Sequence, residues 1–320
     1  MNLSIRSYFE NTIISTIIAA YPAIAAEMSI IVLGSQGLGI ADQFSDLEAA
    51  VYLDDALWRA QGGQLQLLLN ACLQTTCPCR LAGSVIAVWP QSWLLGGCAT
   101  ALRTGQPSLP WESVAIEELF TMQENLIVWD PQGFLAEVKQ TTSPSHYPLW
   151  LWKKRLFVAF KTLLDDFSEL SLNVKRSRQA EAHILFGEVL RTLFHIGFFI
   201  NRQYYPWRTH LRWAFARLPR ETSTVLTHLE RAVTSSGWEE KLEATNQVIA
   251  FYKEFITHKG LLLEIDLLSA DLSEELIWAE RLKAWENPHW RDWITRCQEK
   301  AMRDGHHPKE FWVWSLWHWE

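Results

Sequence analysis

The spacing of apolar residues changes near Pro144, and this change limits the chain to a few architectures. Before it, four short apolar runs have the length and composition of strands. After it, apolar residues recur at intervals of three and four, which is typical of amphipathic helices. The predicted strands are Met28–Leu33, Leu47–Leu53, Ser84–Val88 and Leu126–Trp129. We therefore predict an α+β protein, with a small mixed-sheet domain at residues 1–143 and a helical bundle at 144–320.

Helical spacing indicates one long helix in the first domain and several in the second. The predicted helices cover residues 55–73, 150–167, 182–199, 224–233 and 242–256. Asp271 and Glu274 have the spacing of a capping box, and they predict one more helix that runs to about Trp285.

The apolar run Thr12–Ala26 imitates a signal sequence or a membrane segment. Glu10 and Glu27 bracket it, however, and a run this short does not span a bilayer. Pro22 interrupts it, and only Arg6 supplies a positive charge ahead of it. We interpret the run as a helix packed on the sheet, and we expect no membrane partner.

The charge balance and the cysteines narrow the class of protein. A net charge of −7 argues against general nucleic-acid binding, because that affinity depends on clustered Lys and Arg. The five cysteines are odd in number, so we expect no disulfide framework and predict a reducing cytoplasm. Cys77 and Cys79 indicate zinc only faintly, because no second Cys or His pair stands nearby at metal-site spacing.

The segment with the clearest chemical pattern joins the first two predicted strands. Gly34-Ser35 follows the first strand, and after a loop of ten residues Asp46 and Glu48 flank Leu47. Because strand side chains alternate between faces, both carboxylates should project from one side and Leu47 from the other. Two acids this close repel each other, and such a pair commonly holds a cation such as Mg²⁺. A Gly-Ser turn lets the backbone and a hydroxyl approach a phosphate.

This order of strand, Gly-Ser pair, loop, acid, apolar residue and acid resembles the nucleotidyltransferases of the DNA polymerase beta-like superfamily. The resemblance implies that Asp46 and Glu48 bind Mg²⁺ and act in catalysis. It also implies that Gly34 and Ser35 hold the triphosphate of the nucleotide.

Three further stretches are similar to the aminoglycoside (kanamycin-type) branch of that superfamily and to its bacterial relatives. They are LIVWDPQG at 126–133, YPLW at 147–150 and RQYYPWR at 202–208. Together with the Gly-Ser segment, the resemblance covers about residues 30–218 and does not extend to the remaining C-terminal residues.

The chain departs from the family pattern in one respect. The family places a third carboxylate on a neighbouring strand, and the matching position here is Ala87. The predicted site therefore has two acids where the family usually has three. Glu112, Glu117 or Glu118 could substitute, although no motif fixes any of them in place. The resemblance assigns no general base.

The resemblance implies transfer of a nucleoside monophosphate from a nucleoside triphosphate, with ATP as the expected donor. The expected acceptor is a small molecule or a protein, and Mg²⁺ is the expected cofactor. The alternative is a catalytically degenerate relative that keeps the fold to bind a nucleotide or a protein partner, as the missing third acid suggests. A homodimer is a further open alternative, and a toxin–antitoxin-like partner is weaker because those forms are far shorter.

Ordinary structural roles compete with the functional ones. Asp46 and Glu48 could form a solvated strand end, where acids are common. Gly34, Gly37 and Gly39 could belong to an ordinary flexible loop, because their order is not that of a dinucleotide-binding motif.

Three other features are best explained by structure. Asp130, before Pro131, is expected to form a turn rather than to bind a ligand. The aromatic cluster at 204–208 is expected to pack rather than to stack a base. The Trp-rich end at 311–319 is expected to dock on the helices, because so large an exposed apolar patch would be an association site.

Overall fold

The structure, a computed structural model, describes residues 5–79, 83–97, 111–219 and 222–258. The chain divides into two units, Met1–Tyr147 and Pro148–Glu320. The fold is α+β, as predicted, with the strands in the first unit and helices in the described part of the second. The helix predicted after Asp271 and the Trp-rich end lie outside the described residues, as does the side chain of Glu112.

The described residues of the first unit form a four-stranded sheet in the order β3-β2-β1-β4. The strands are β1 (Ser29–Leu33), β2 (Glu48–Leu53), β3 (Val85–Pro90) and β4 (Leu126–Trp129). β1 runs antiparallel to β2 and β4, whereas β2 and β3 are parallel, so the sheet is mixed as predicted. Each strand overlaps its predicted run, because alternating β-branched and apolar residues identify it locally.

The parallel pair β2 and β3 requires a crossover connection, and a long helix supplies it. This helix runs from Asp55 to Thr76, and the Asp54 side chain caps its start by accepting a hydrogen bond from Ala56 N at 2.9 Å. The adjacent glycines Gly62 and Gly63 do not break it. A Cβ atom at Gly62 would lie 2.8 Å from the Trp58 ring, so the glycine leaves room for that indole.

The apolar run near the N-terminus was expected to be one helix, and this was wrong, because the run is divided into several helices. The chain forms α1 (Ile5–Tyr8), a π-helix (Phe9–Ile14), α2 (Ser15–Ala20) and α3 (Pro22–Glu27). The break lies at Tyr21, whose φ of −142° and ψ of 68° are not helical, because Pro22 disfavours a helical conformation in the residue before it. The helices nevertheless pack on the sheet, as predicted, and bury Phe9, Ile13 and Ile17.

The hydrophobic core lies against one face of the sheet. The N-terminal helices and the crossover helix cover that face, which contributes Leu47, Ala49, Val51, Ile86 and Val88 to the core. Because strand side chains alternate, the residues between these project from the opposite face. The fold therefore directs Asp46 and Glu48 away from the core.

A glutamine of the crossover helix covers part of the outer edge of β3. Gln66 Nε2 donates a hydrogen bond to Ile86 O at 2.8 Å, and Gln66 Oε1 accepts one from Val88 N at 2.9 Å. The two bonds reproduce the pairing that a neighbouring strand would make.

All five helices predicted within the described residues are present, and the four helices labelled α4, α6, α7 and α10 below were not predicted. In the first unit they are α4 (Gly34–Gly37), α5 (Asp55–Thr76), α6 (Ile116–Glu124) and α7 (Phe134–Thr141). In the second unit they are α8 (Leu149–Lys175), α9 (Gln179–Ile200), α10 (Leu211–Phe215), α11 (Thr222–Thr234) and α12 (Trp238–His258). The four longer helices of the second unit overlap the four predicted runs.

Among the described residues, α9 has the length and apolar character of a membrane span, with a mean hydropathy of 1.4 over its most apolar window. Half of that window is buried inside the protein, as in the core helix of a folded domain.

The aromatic cluster at 204–208 packs within the second unit, which confirms the structural interpretation of its tyrosines. Tyr204 is buried and stacks on Trp152 with ring centroids 5.5 Å apart. Tyr205 stacks on His195 at 3.8 Å. Burial, with a smaller contribution from the nearby Arg191, lowers the pKa of His195 to about 3, so this imidazole is neutral at physiological pH.

Candidate functional site

The turn that follows β1 needs glycine at its first position for two reasons. Gly34 has a φ of +58°, a left-handed conformation that glycine adopts without steric cost. A Cβ atom at this position would also lie 2.8 Å from Glu48 Oε2. The carboxylate of Glu48 therefore lies directly against the turn, as the pairing of Leu33 with Glu48 in the β1–β2 ladder requires.

The two predicted acids flank a residue that is anchored in the core. Leu47 is fully buried, and its backbone O accepts a hydrogen bond from Val85 N at 2.7 Å. Asp46 and Glu48 therefore project on the side away from the core. Glu48 is exposed and Asp46 is half-buried, with its Oδ2 only 3.3 Å from where a Cβ atom at Gly83 would lie. Neither carboxylate accepts a hydrogen bond from the described part of the chain.

A side chain of the turn links it to the region around Asp46. Gln36 Nε2 donates a hydrogen bond to Cys79 Sγ at 3.4 Å. Burial raises the pKa of the Cys79 thiol, and the neighbouring Cys77 and Asp46 raise it further. Gln36 and Gly83 were not predicted as part of the site, although Gln36 stands next to Ser35 in the motif.

The glycines of the loop differ from one another. Gly37 is buried, and a Cβ atom there would lie 2.1 Å from Val32 O and 2.4 Å from Asn125 Oδ1. The interpretation of Gly37 as part of a flexible loop was therefore wrong, because the turn packs on β1 through this residue. Gly39 is exposed with open space around it. The Ser35 hydroxyl is partly exposed and makes no hydrogen bond within the described residues.

The neighbouring strand offers no third acid. In the parallel ladder, Glu48 pairs with Val85 and Ala50 pairs with Ala87. Val85 and Ala87 alternate with the core residues Ile86 and Val88, so they lie on the face that carries Glu48. The position predicted to lack a carboxylate is thus beside the acid pair and holds a methyl group.

Glu118, one of the predicted substitutes, lies near the other end of β2. Burial raises the pKa of Glu118, and Glu117 raises it further. Burial also raises the pKa of Tyr52 to about 12, with a smaller contribution from Glu118. Tyr52 is four residues beyond Glu48, a separation of about 13 Å along a strand, so Glu118 interacts with the end of β2 opposite the acid pair.

Asp130 forms a turn, as predicted. Its Oδ1 accepts a hydrogen bond from the buried Ser29 hydroxyl at 2.6 Å, and its Oδ2 accepts one from Ala136 N at 2.9 Å. Both carboxylate oxygens are therefore occupied by the protein itself.

The described residues contain no group of three or more His, Cys, Asp or Glu side chains suited to a metal ion. Cys72, Cys77 and Cys79 are free thiols. A pair of carboxylates still suits Mg²⁺, which is usually bound by one or two protein carboxylates together with substrate phosphates and water. Asp46 and Glu48 have this donor chemistry.

A domain of unknown function (DUF4037) matches residues 111–214, less than half of the chain. No curated protein sequence matches the chain. The fold is similar to that of a nucleotidyltransferase-like protein from Exiguobacterium sibiricum 255-15, with a TM-score of 0.40 and 14% sequence identity. That likeness covers 93% of this chain and 92% of the other. A likeness this distant transfers no residue role, and the kanamycin-type branch stays a prediction.

Proposed function

We propose that the protein transfers a nucleoside monophosphate from a magnesium-bound nucleoside triphosphate to a hydroxyl acceptor. The observation that carries the proposal is the contact between the turn after β1 and the first residue of β2. Glu48 Oε2 lies against Gly34, and Asp46 projects from the same side of the chain as Glu48 and accepts no hydrogen bond from the described residues. The Gly-Ser turn and the acid pair are therefore parts of one surface.

Asp46 and Glu48 would hold the Mg²⁺ ion, because hard divalent cations prefer carboxylate oxygen. When bound, Mg²⁺ neutralises the charge of the triphosphate and of the transition state. The protein's own contribution is mainly positional. Leu47 fixes the two carboxylates by its burial, and Gly37 fixes the turn against β1.

The Ser35 hydroxyl and the backbone of the turn would bind the phosphates. The hydroxyl has no competing partner in the described chain, and the left-handed Gly34 has no side chain to block the approach. In this arrangement the acceptor oxygen attacks the α-phosphorus and pyrophosphate leaves on the opposite side. ATP as the donor, a cytoplasmic location and the homodimer stay predictions.

A second candidate function is nucleotide binding without transfer. The observation in its favour is the pairing of Glu48 with Val85 and of Ala50 with Ala87, which leaves the neighbouring strand without an acid. Such a protein would bind nucleotide and Mg²⁺ and release no pyrophosphate.

The test uses Mg²⁺ and ATP, with binding measured by calorimetry and transfer measured by pyrophosphate release. Asp46→Asn and Glu48→Gln keep the shape of each side chain and remove its charge. Each is expected to raise the Kd for Mg²⁺–ATP at least about tenfold, because each removes a charge-assisted contact. The control is Glu27→Gln, an exposed acid at the end of α3, which should leave the Kd unchanged.

Tight binding by the parent protein that persists in both acid variants would contradict the proposed site. Binding that the variants lose, without pyrophosphate release by the parent protein with any acceptor, would favour the second candidate function.

A further inference from the structure

The charged residues of the chain are unevenly distributed. Residues 189–220 contain six arginines and no Asp or Glu, whereas the other 23 Lys and Arg of the chain stand against all 36 of its acidic residues. The expectation of no general nucleic-acid binding rested on the net charge of −7, which averages over this difference. A chain that is acidic as a whole therefore carries one strongly basic stretch.

Most of these arginines lie on the surface of the second unit, and few of them are neutralised. Four exposed ones fall within residues 202–217, which we call the basic segment: Arg202, Arg208, Arg212 and Arg217. Arg212 forms an ion pair with Glu230, whereas the other three form none with the described residues. Arg208 begins a 3₁₀ turn that leads directly into α10, so Arg208 and Arg212 project from one face about one helical turn apart. The basic segment therefore presents several unpaired positive charges to solvent.

An exposed indole stands among these charges. Trp207 is 57% exposed, and its ring makes no contact with another described ring. The neighbouring tyrosines differ, because Tyr204 and Tyr205 stack on other rings of the second unit. The packing interpretation of the aromatic cluster therefore holds for its tyrosines and leaves Trp207 without a structural role.

The backbone of Arg202 adopts a conformation that favours glycine. Its φ is +51°, just beyond the end of α9, where its N–H donates a hydrogen bond to Phe199 O at 3.0 Å. Glycine is the usual residue at such a helix end, because a Cβ atom is sterically costly in the left-handed region. Arginine is thus less favourable than glycine for the fold at this position, which points to a role for the side chain itself.

Buried residues fix the basic segment to the helices beneath it. Leu211 and Phe215 are buried, and Phe215 packs on Phe198 of α9 with ring centroids 6.0 Å apart. A surface that is anchored in this way loses little conformational freedom when a ligand binds to it.

The combination of unpaired arginines and an exposed indole suits a single strand of RNA. Guanidinium groups bind phosphates through charge and through paired hydrogen bonds. An exposed aromatic ring stacks on a nucleotide base, and the base must be unpaired to be reached. A double helix offers phosphates with its base faces covered, and a lipid surface offers phosphates without rings to stack.

We propose that the basic segment binds single-stranded RNA, with Arg202, Arg208 and Arg217 on the phosphates and Trp207 on a base. This site uses none of the residues of the acid pair or of the turn after β1. The inference therefore does not depend on the proposed function.

The test titrates a short fluorescent oligouridylate with the full chain, without Mg²⁺, so that a metal-bound acid pair does not contribute. Three phosphate contacts should make the parent protein bind about twentyfold more weakly at about 200 mM salt than at about 50 mM. Trp207→Ala should raise the Kd about tenfold and leave its salt dependence unchanged, because it removes a stacked base and no charge. Arg208→Ala should raise the Kd and lower the slope of log Kd against log salt by about 0.7, whereas Arg208→Lys should keep the slope.

Arg202→Gly separates binding from folding. It should raise the Kd as Arg208→Ala does, and it should also raise the midpoint of urea denaturation, because glycine is favoured at that helix end. Trp93→Ala and Arg59→Ala are the matched controls, because Trp93 is 56% exposed and Arg59 is exposed, both in the first unit. Each control should leave the Kd unchanged.

No binding by the parent protein at low salt, or an unchanged Kd in both Trp207→Ala and Arg208→Ala, would overturn the inference. Equal losses in the two control variants would overturn it as well, because the site would then lie elsewhere. Tighter binding to vesicles that contain phosphatidylserine than to the oligouridylate would overturn it in favour of a membrane surface. Each of these results leaves the proposed function standing, since that function is tested with Mg²⁺ and ATP.

Discussion

Two turns of the sheet domain carry acids and glycines, and they use their carboxylates in opposite ways. After β4, both oxygens of Asp130 accept hydrogen bonds from the protein, and Gly133 follows with a φ of +72°. Around the turn after β1, the carboxylates of Asp46 and Glu48 accept none from the described chain. An acid whose oxygens are occupied is a structural element, whereas an acid whose oxygens are open is available to a ligand.

The largest effect on stability is expected at the occupied acid. Asp130→Ala leaves the fully buried Ser29 hydroxyl without its acceptor and removes the bond to Ala136 N. The expected loss is about 3 kcal/mol in the free energy of unfolding, from one buried unsatisfied group and one lost helix-end bond. Urea denaturation monitored by circular dichroism measures it.

Glu48→Gln is the counterpart at the other turn. It should change the free energy of unfolding by less than about 0.5 kcal/mol, because it breaks no hydrogen bond within the described chain. Equal losses in Asp130→Ala and Glu48→Gln would remove the distinction between the two turns.

A smaller loss in the free energy of unfolding is expected when Gly34 or Gly133 is replaced. Gly34→Ala forces alanine into a left-handed conformation and drives its Cβ atom against Glu48 Oε2, with an expected loss of about 2 kcal/mol. Gly133→Ala meets the same backbone cost with open space around it, so about 1 kcal/mol is expected. Both losses are measured by urea denaturation.

Only Gly34→Ala should also weaken Mg²⁺–ATP binding, because only that substitution displaces an acid of the proposed site. Calorimetry on both variants tests this. Weakened binding in Gly133→Ala as well would mean that turn strain, rather than contact with Glu48, controls the affinity.

The smallest effect on stability is expected at Glu118. Its carboxylate does not accept hydrogen bonds from the described chain as Asp130 does, and it is less exposed than Glu48. Burial raises its pKa above the ordinary 4.5, so the folded chain binds the proton more readily than the unfolded chain does. The stability that Glu118 contributes is therefore present below pH 4.5 and is lost as the pH rises through the raised folded value.

Glu118→Gln removes the titrating group. The free energy of unfolding of the variant, relative to that of the parent protein, should therefore increase as the pH rises from below 4.5 to neutrality. Denaturation midpoints across this range measure the difference. A constant difference between the two proteins would show that Glu118 is as well solvated in the folded chain as in the unfolded one.

The strands could be predicted because their signal is local. β4 lies at the predicted residues, and β2 begins one residue after its predicted start, since alternation and β-branched residues are visible in a short window. The same alternation predicted that Leu47 would point into the core, from which the direction of its two acidic neighbours follows.

What the sequence could not supply depends on contacts between distant residues. The sequence around Gly37 does not predict that Val32 O and Asn125 Oδ1 lie so close to it, because Asn125 is 88 positions away in the chain. Neither the bond from Gln36 to Cys79 nor the stacking of Tyr205 on His195 is encoded in a local pattern. The break at Tyr21 was missed although Pro22 was noticed, because the apolar spacing continues through it.

The glutamine on the outer edge of β3 has a consequence for self-association. Strand addition by another copy of the chain needs free N–H and C=O groups along an edge, and Gln66 already occupies the C=O of Ile86 and the N–H of Val88. A side-chain amide satisfies one such pair and offers no new edge beyond itself. Gln66 thus protects this edge of β3 against strand addition. Another strand could pair with the edge only after displacing the Gln66 side chain.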